Sequence, residues 1–555
     1  MKSALLDKTA AALLAAACGS VVCGIILAFA FEGLGPRTAA ASLAAGLACG
    51  TAAFLSVRAG PAQKPNAWDI LLLAIFAIAS LRAFLWVLYT VGDEWRVLSP
   101  YNLGDMSLHI QFIRYFASGI PFWPESPILS GAPLSYPPGA DFFNSLLLLC
   151  GVPLREGLVW CGLAGAGLSA FLLWRWGGAF AIAAFLFNGG IAGFAILRSG
   201  AIQDFQSELA WKNLFLTMLV PQRGLLYALP CGLLLLRAWR DDFFGTGSGV
   251  PRPLQFALYA TMPLFNVHAF LFLSLALASI FLVQPASRKT LLAFVGAAVP
   301  PATLCVWLVT GGFAASSGMR WLPGWMQGTG GAMFWIINFG AALPLLAFLF
   351  WRAARHGGPS ARAFCLVSFA TFAPCFLFAL APWEWDNTKL LLWAWLAAAP
   401  FLWTLVLAPM HKIPRGIFCF LLFFSGAVSL VGGLDGHHGY GLAKRSELAA
   451  AETALAGVPP ETRIAIAQDY NHPVILLGRP VVCGYEGHLW SHGLPYREKM
   501  GLLKNILALG PGHQADAAKA GAGLIFLRGT PPRVIKTEPP AKASPESLPE
   551  SALEP

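Results

Sequence analysis

The chain has 555 residues, of which 57% are hydrophobic and 12% are charged, whereas about a quarter of the residues in an ordinary soluble domain are charged. With a mean hydropathy of +0.64, this composition excludes a soluble enzyme, a disordered protein and a disulfide-stapled secreted module. The net charge of +10 does not indicate nucleic-acid binding, because the basic residues form short clusters beside apolar segments, where they orient membrane spans. The sequence therefore predicts a polytopic membrane protein.

Apolar segments of near-spanning length follow one another along the chain and predict about 11 to 13 transmembrane helices. They lie at residues 9–31, 38–57, 68–91, 157–174, 178–197, 224–239, 254–284, 290–311, 332–351, 361–382, 388–408 and 414–433. The segment 254–284 is too long for one span and is interrupted at Pro263 and His268. This interruption predicts two short helices that meet at a membrane surface.

Basic clusters at one set of span ends predict the orientation of the bundle, because Lys and Arg favour the cytoplasmic side. These clusters are Lys2/Lys8, Arg58/Lys64, Arg237/Arg240, Arg288/Lys289, Arg352/Arg355/Arg362 and Lys412/Arg415. The opposite side then receives the long loop 92–138, the motif Trp383–Lys389 and everything after Gly433. We expect a multi-pass protein of the inner (plasma) membrane whose C-terminal domain is extracytoplasmic.

The predicted fold class is mainly α, a transmembrane helical bundle with a small C-terminal α/β domain. Residues 1–67 form an N-terminal hairpin and linker, and 68–433 form the transmembrane core. Residues 434–528 have three strand-like segments, at 463–470, 480–485 and 523–529, between helical stretches at 445–456 and 497–509. Residues 529–555 are rich in Pro, Glu, Lys and Ser, which predicts a disordered tail.

The loop 92–138 is richer in acids, aromatics and prolines than a connection requires, and loops of this length are usually functional or disordered. Asp105 begins a predicted helix, with His109 one turn further on the same face. A carboxylate and an imidazole so placed can act as a base and its partner, or hold a divalent cation. The alternative for Asp105 is a plain helix N-cap. Asp93 and Glu94 form a second acidic candidate pair, unless they are ordinary interfacial charges.

Other polar residues stand in apolar segments, and ionisable groups at membrane depth usually line a functional cavity. Arg223 suits a phosphate because its planar guanidinium donates bidentate hydrogen bonds and stays charged; snorkelling or a helix-end pairing is the alternative. The remaining candidates in such contexts are Lys212, Gln222, Asn266, His268, Glu384, Asp386, Asn387 and Lys389. In the C-terminal domain, His472, Glu486, His488 and His492 lie close together without a metal-ligand spacing, which favours a structural or acceptor-facing surface.

The motifs GDMSLH, PQRG, PLFNVHAF, WDNTK, NHPV and GYEGHLWSHG, in this order, resemble a bacterial branch of the GT-C superfamily of integral membrane glycosyltransferases. A span that leads into a long first loop, an Asp at the head of a loop helix and a following YPPG turn are similar to that superfamily. The resemblance covers about residues 68–528. The two extra N-terminal spans depart from the common core.

The resemblance implies transfer of a sugar from a polyprenyl-phosphate-linked donor to an unknown glycan, lipid or protein acceptor at the lipid bilayer. It implies that Asp105, with His109, is catalytic, while Asp93 and Glu94 match the acidic pair of the protein O-mannosyltransferase and aminoarabinose-transferase relatives. The implied donor-phosphate contacts are Arg223, Lys389 and His268. The candidate substrate contacts are Tyr136, Gln222, Asp386 and Asn387, although for Tyr136 the main interpretation of SYPPG is a rigid turn. The resemblance fixes no cofactor; a divalent cation is one option, and both the metal ligands and the metal dependence stay open.

Two other functions remain open from the sequence. A transporter or flippase of lipid-linked saccharides would also place charges in the membrane, but such proteins often contain internal repeats and broken helices near the midplane. A non-catalytic membrane protein of envelope assembly would leave Asp105 dispensable. No Walker-type phosphate loop is present, which argues against ATP-driven transport.

Overall fold

The computed structural model describes residues 2–58, 63–99, 101–245, 247–313, 319–437 and 439–537. Within these ranges, apolar helices form a multi-pass membrane bundle, and a small sheet-containing domain packs on one end of it. This arrangement confirms the predicted fold class.

The first helices are α1 (Lys2–Ala30), α2 (Pro36–Ser56), α3 (Ala67–Phe84), α4 (Leu103–Phe116), α5 (Gly139–Leu149), α6 (Leu154–Leu186) and α7 (Ile196–Ser199). The rest of the bundle contains α8 (Leu225–Phe244), α9 (Arg252–Ala260), α10 (Val267–Val283), α11 (Arg288–Val309), α12 (Gly331–Phe339), α13 (Ala342–His356), α14 (Pro359–Leu377), α15 (Thr388–Phe401) and α16 (Lys412–Gly433). The C-terminal helices are α17 (Arg445–Ala454), α18 (Pro473–Leu476), α19 (Glu486–Ser491), α20 (Arg497–Leu507) and α21 (His513–Ala520). The strands are β1 (Tyr89–Val91), β2 (Glu94–Leu98), β3 (Arg320–Trp321), β4 (Phe378–Ala379), β5 (Gly439–Lys444), β6 (Ile464–Ala465), β7 (Leu524–Leu527) and β8 (Arg533–Lys536).

Eight of the described helices are long and apolar enough to cross a membrane, or nine spans result if the bent pair α12 and α13 counts as one. This count is lower than the predicted 11 to 13. One reason is that the segment 157–174 and the first part of 178–197 lie on the two parts of α6, which meet at a break where Gly178 adopts a φ of 62° and together count as one candidate span. Only glycine enters this left-handed region without a Cβ clash. Another reason is that α10 is shorter than a full span.

The predicted interruption of the segment 254–284 is confirmed. Helix α9 ends at Ala260, and a 3₁₀ turn at Met262–Leu264 contains Pro263. Helix α10 then begins after Asn266, whose side-chain oxygen accepts the backbone N–H of Ala269. The proline and the capping asparagine together divide the apolar segment into two helices.

Helices α1 and α2 form a tightly packed hairpin at the side of the bundle. Glycines on α2 face α1, and a Cβ added at Gly50 would lie 2.8 Å from the carbonyl oxygen of Ala12. Small residues allow such close approach of membrane helices. The hairpin packs against α5, α8 and α9, so it is part of the bundle and not a separate anchor.

A buried ion cluster joins α1 to the core. The carboxylate of Asp7 accepts hydrogen bonds from Arg175 on α6 at 2.7 and 3.0 Å and from Arg237 on α8 at 2.8 Å. All three side chains are less than 10% exposed. Because buried charges are expensive unless they are paired, this cluster fixes where α1 docks.

One sheet combines segments that are far apart in sequence. Strands β1 and β2 form a hairpin in the first long loop, and β5, which follows α16, pairs antiparallel with β2. Hydrogen-bonded strands lie on the same side of a membrane. The first loop and the chain after α16 therefore share one face of the bilayer.

The C-terminal domain contains the sheet β6-β7-β8, with β6 parallel and β8 antiparallel to β7. The predicted strand segments 463–470 and 523–529 contain β6 and β7. The segment 480–485 forms only isolated bridges, Ile464 to Val481 and Leu129 to Cys483. The helical stretches 445–456 and 497–509 correspond to α17 and α20.

The predicted boundary of the tail at residue 529 differs from the structure. Strand β8 lies beyond it and completes the domain's sheet with β7 as its partner, since Ile535 pairs with Ile525 in the middle of that strand. The Pro- and Lys-rich composition of this segment does not predict a strand. Strand β8 forms because it pairs with β7. The rest of the predicted tail, residues 538–555, lies outside the described residues.

The C-terminal domain rests on the first loop through buried and half-buried polar contacts. Arg463 donates to the Ser126 carbonyl and the Glu125 carboxylate, both at 2.6 Å. Gln111, on α4, donates to the carbonyl of Arg479 at 3.0 Å. These contacts hold the domain against the helix that carries Asp105.

Candidate functional site

A cavity of about 240 Å³ lies between the first loop, the bundle and the C-terminal domain. Its walls come from α4, the segment before α8, the turn before α15 and helix α19. The lining residues are Tyr101, Asp105, Leu108, His109, Tyr136, Lys212, Thr217, Gln222, Trp383, Trp385, Asp386, Lys389, His488, Ser491 and His492. Six of the residues predicted from sequence therefore meet in one cavity: Asp105, His109, Tyr136, Gln222, Asp386 and Lys389.

Asp105 lies in the first turn of α4 and faces this cavity. It is not the N-cap, which is Asn102, so the capping alternative is wrong. The side-chain amide of Gln222 approaches its carboxylate at 3.4 Å. Burial raises the pKa of Asp105, while the nearby His109 and Lys389 act in the opposite direction. A carboxylate of raised basicity that faces a cavity is suited to accept a proton.

His109 lies one turn from Asp105, but its ring nitrogens contact other groups. Nδ1 is 2.9 Å from both carboxylate oxygens of the buried Asp141, and Nε2 is 3.2 Å from the carbonyl oxygen of Pro221. Both neighbours are hydrogen-bond acceptors, so only the doubly protonated ring donates to both. The predicted base-and-partner pair of Asp105 and His109 is therefore not formed. His109 instead ties α4 to α5 and to the segment before α8.

Two lysines bring positive charge to the cavity. Lys389 is 3.0 Å from Asp386, one turn earlier, in an ion pair. The ammonium group of Lys212 lies over the rings of Tyr101 and Trp385, at 5.2 and 6.0 Å from their centroids. Burial lowers the pKa of Lys212, although nearby acids counteract this. These cations provide a place for an anionic group beside Asp105.

Aromatic rings form one wall. Tyr136, which precedes the Pro-Pro turn, stacks on Phe112 with a centroid distance of 4.8 Å and lies 5.5 Å from the ring of His492. The turn fixes the chain direction before α5, and α4 supplies the ring on which Tyr136 stacks. A rigid aromatic wall of this kind can hold a sugar face or an apolar chain.

The C-terminal domain closes the cavity with α19 and the residues after it. Burial lowers the pKa of His488 to about 3 and that of His492 to about 4, with smaller contributions from nearby positive groups. Both rings are therefore neutral at pH 7 and can donate or accept one hydrogen bond each. Among the described residues, no group of three His, Cys, Asp or Glu side chains could hold a metal ion. Asp386 forms an ion pair with Lys389.

Asp93 and Glu94 lie away from the cavity. Glu94 is the first residue of β2, and Asp93 lies in the turn between β1 and β2. The carboxylate of Asp93 is exposed and accepts hydrogen bonds from the backbone and hydroxyl of Ser446. Glu94, on β2, pairs with Arg96 at 3.1 Å. Both acids stabilise the junction between the first loop and the C-terminal domain, which explains an acidic pair directly after a span.

Three other predicted residues also lie outside the cavity lining. The side chain of Asn387 bonds to backbone groups of Cys375, Phe378 and Leu380 and so shapes the turn before α15. His268, at the start of α10, does not line the cavity but interacts electrostatically with Lys389 and Asp386, which do. Arg223 lines a separate cavity.

Two further cavities continue from the first one across the domain junction. A cavity of about 280 Å³ shares His492 with it, and a cleft of about 580 Å³ shares Ser130, Gly131 and Lys499 with the second. The cleft is lined by Trp123, Tyr115 and several charged side chains. The three cavities thus neighbour one another in series, from the one that contains Asp105 to the cleft beside Trp123.

No protein-family model matches the chain, and no curated protein sequence matches it. Among solved structures, the Archaeoglobus fulgidus oligosaccharyltransferase tethered with an acceptor peptide matches with 11% identity and a TM-score of 0.46, over 83% of this chain and 69% of that chain. Its apo form gives 10% identity and a TM-score of 0.47 over the same shares. ArnT from Cupriavidus metallidurans bound to undecaprenyl phosphate gives 14% and 0.41, over 84% and 97%.

The matched structures are an oligosaccharyltransferase and ArnT. Identities of 10 to 14% and TM-scores below 0.5 assign no role to individual residues of this chain.

Sequence reasoning missed several residues that line the cavity. Trp383 and Trp385 are also typical of an interfacial aromatic belt, and Lys212 is a candidate to which the sequence assigns no role. Tyr101 and Ser491 were not singled out. One signal that indicates Lys212 is its position in the motif WKN, which places a cation in the same apolar segment as the predicted site residue Gln222.

Proposed function

We propose that the chain is an integral membrane glycosyltransferase that transfers a sugar from a polyprenyl-phosphate-linked donor to an acceptor on the extracytoplasmic face. The observation that carries the proposal is the cavity itself. It combines the carboxylate of Asp105 with the ammonium groups of Lys212 and Lys389, at the junction of membrane helices and an outer domain. The motif resemblance supplies the substrate class.

In the proposed reaction, the acceptor hydroxyl gives its proton to the carboxylate of Asp105. The acceptor oxygen attacks the anomeric carbon, and the bond from that carbon to the carrier phosphate breaks, with its electron pair moving to the phosphate oxygen. A single displacement of this kind inverts the anomeric centre. In this proposal Asp105 receives the proton of the acceptor hydroxyl, and the two lysines face the leaving phosphate.

Lys389 and Lys212 are the proposed phosphate contacts. An ammonium group stabilises the negative charge that develops on the leaving phosphate, and a partly buried site strengthens this effect. Lys389 can exchange Asp386 for the phosphate, and Lys212 is held by aromatic rings without an acid within salt-bridge distance among the described residues. Arg223 is no longer needed for this role, since it lines another cavity.

The remaining cavity residues are proposed to position the reactants. Gln222 orients the carboxylate of Asp105 through its amide. Tyr136 and His492 form a wall against which the sugar can lie. The acceptor is proposed to approach through the cavities that lead to Trp123, because they share lining residues with one another and, through His492, with the cavity of Asp105.

Replacement of Asp105 tests the proposal. Asp105→Asn keeps the shape of the side chain but removes its basicity, so transfer from a labelled polyprenyl-phosphate donor is expected to fall about a hundredfold or more. Asp93→Asn is the matched control, because Asp93 is exposed and lies outside the cavity, in the turn between β1 and β2. Normal transfer by Asp105→Asn would contradict the proposed base. A loss of transfer in Asp93→Asn alone would indicate that the reaction takes place beside the sheet formed by β1, β2 and β5.

If the same cavity belonged to a flippase, the products would be different. A flippase moves the lipid-linked saccharide without breaking the bond to the phosphate, so no free carrier phosphate forms. Detection of sugar transfer with release of polyprenyl phosphate by the purified protein separates the two functions.

A further inference from the structure

Gln222 and Arg223 are adjacent in sequence but line different cavities. Gln222 faces the catalytic cavity, whereas Arg223 lines a second cavity of about 170 Å³. This second cavity lies between α1 of the N-terminal hairpin and the helices α5, α6 and α8. The proposed reaction does not use it.

Apolar side chains make up most of the wall of this cavity. Phe143 and Leu168 line it from the core, and Leu13 and Ala17 line it from α1. Leu13 is 49% exposed, although it belongs to a helix that is long and apolar enough to span a membrane. Its exposed face therefore meets lipid chains, and the cavity is reached from the bilayer.

Arg223 is 1% exposed, yet its guanidinium is only partly paired. Its Nη2 donates to the carbonyl oxygen of Leu158 at 2.8 Å, while Nε and Nη1 have no hydrogen-bond partner in the described part of the chain. The carboxylate of the nearby Asp141 contacts Nδ1 of His109 and, among the described residues, forms no hydrogen bond or salt bridge with Arg223. A buried cation with two free donors is expensive unless an anion binds it.

We propose that this second cavity binds one anionic membrane lipid that is distinct from the sugar donor. An oxygen of the headgroup accepts hydrogen bonds from Arg223, whose fork suits a phosphate. The acyl chains lie along Phe143 and Leu168 and leave between the helices beside Leu13. A lipid is favoured over free phosphate because the walls are apolar and the opening faces the bilayer.

The test measures lipid bound to the purified full-length protein in the absence of donor. Detergent-solubilised protein is mixed with phosphatidylglycerol or phosphatidylcholine, and bound lipid is counted by native mass spectrometry. We expect one retained phosphatidylglycerol, weak retention of phosphatidylcholine, and a loss of phosphatidylglycerol affinity of roughly ten- to a hundredfold in Arg223→Gln. Arg155→Gln is the matched control, because Arg155 is a half-exposed arginine at the start of α6 outside the cavity, and it is expected to retain the lipid.

A second variant keeps the test informative if Arg223→Gln fails to fold. Ala164 is exposed and lines the cavity, so Ala164→Leu fills the space without touching the guanidinium and is expected to reduce lipid retention as well. Equal retention in wild-type protein and both variants would overturn the proposal. Displacement of the lipid by inorganic phosphate would identify a free-anion site instead. A loss of donor affinity in Arg223→Gln with unchanged lipid retention would return Arg223 to the donor.

Discussion

The charge state of Asp105 links the geometry of the cavity to its pH dependence. A base works only when it is deprotonated, and burial raises the pKa of Asp105 above the ordinary value of an aspartate. Transfer is therefore expected to rise with pH through this raised pKa, so the acid limb of the rate profile lies above the usual range for aspartate. Lys389 lowers the same pKa, and Lys389→Gln is expected to move the acid limb to higher pH.

The measurement is kcat/KM against pH for both proteins. Lys444→Gln is the control, because Lys444 is an exposed lysine on β5 that does not line the cavity, and its profile should match that of the wild-type protein. An acid limb that stays in place or moves to lower pH in Lys389→Gln would contradict the assignment of Asp105 as the base.

The sequence could supply the types of residue at the site but not all of their partners. Asp105, Gln222 and Lys389 were predicted because polar groups in apolar segments are uncommon, and all three line one cavity. The partner of His109 could not be predicted, because helical spacing favours Asp105 and only the packing of α5 brings Asp141 to the ring. Arg223 is adjacent to Gln222 in sequence but lines a different cavity, which the types of residue alone do not predict.

At the scale of elements, the ion cluster at Asp7 is what attaches the hairpin to the core. Removal of a buried carboxylate that two arginines share leaves positive charges close together in a dry environment. Asp7→Ala is therefore expected to reduce stability by about 3 to 5 kcal/mol. Thermal unfolding in detergent measures this, with Glu156→Gln as the control, since its pair with Arg155 is half exposed and contributes about 0 to 1 kcal/mol.

An unchanged melting temperature in Asp7→Ala would mean that the hairpin is held by apolar packing alone. The N-terminal spans were predicted from composition, but the cluster was not. Asp7 occurs in an ordinary position near the start of a helix, and its two partners are 168 and 230 residues away in sequence.

Helix α19 makes the C-terminal domain sensitive to acid. The pKa values of His488 and His492 are about 3 and 4 in the folded protein, against an ordinary value of about 6.5. The unfolded chain therefore binds protons that the folded chain does not as the pH falls below about 6.5, and stability is expected to decline from there toward pH 4. Above about 6.5 both states are neutral at these positions and this effect vanishes.

The melting temperature of the wild-type protein at pH 7.5 and 5 gives the size of this decline. His488→Gln and His492→Gln should each reduce the difference, while His356→Gln, outside the domain, should leave it unchanged. A wild-type protein that is more stable at pH 5 than at pH 7.5 would contradict the lowered pKa values.

At the scale of the whole molecule, the orientation in the membrane remains a prediction, although the structure shows that the first loop and the C-terminal domain share one face. The basic clusters lie at the opposite helix ends from the cavity, such as Arg288 at the start of α11 and Lys412 at the start of α16. In intact cells, an impermeant thiol reagent is expected to label Lys519→Cys but not Lys289→Cys. The reverse pattern would place the cavity in the cytoplasm.

Hydropathy predicted the bundle well because apolar length is a property of the sequence itself. The number of spans was less accurate, since a glycine break and a bend between helices do not change composition. The junction between β2 and β5 could not be predicted either, because short strands depend on partners that lie elsewhere in the chain.

That junction also sets the order in which the protein can be completed during synthesis. Arg96 donates to the carbonyl oxygen of Gly439, 343 residues later, so β2 is synthesised long before the ribosome has made its partner strand. Until then the edge of β2 exposes unpaired backbone groups, which can pair wrongly with other chains. The nascent protein is therefore most exposed to misassembly between the synthesis of its first loop and that of β5.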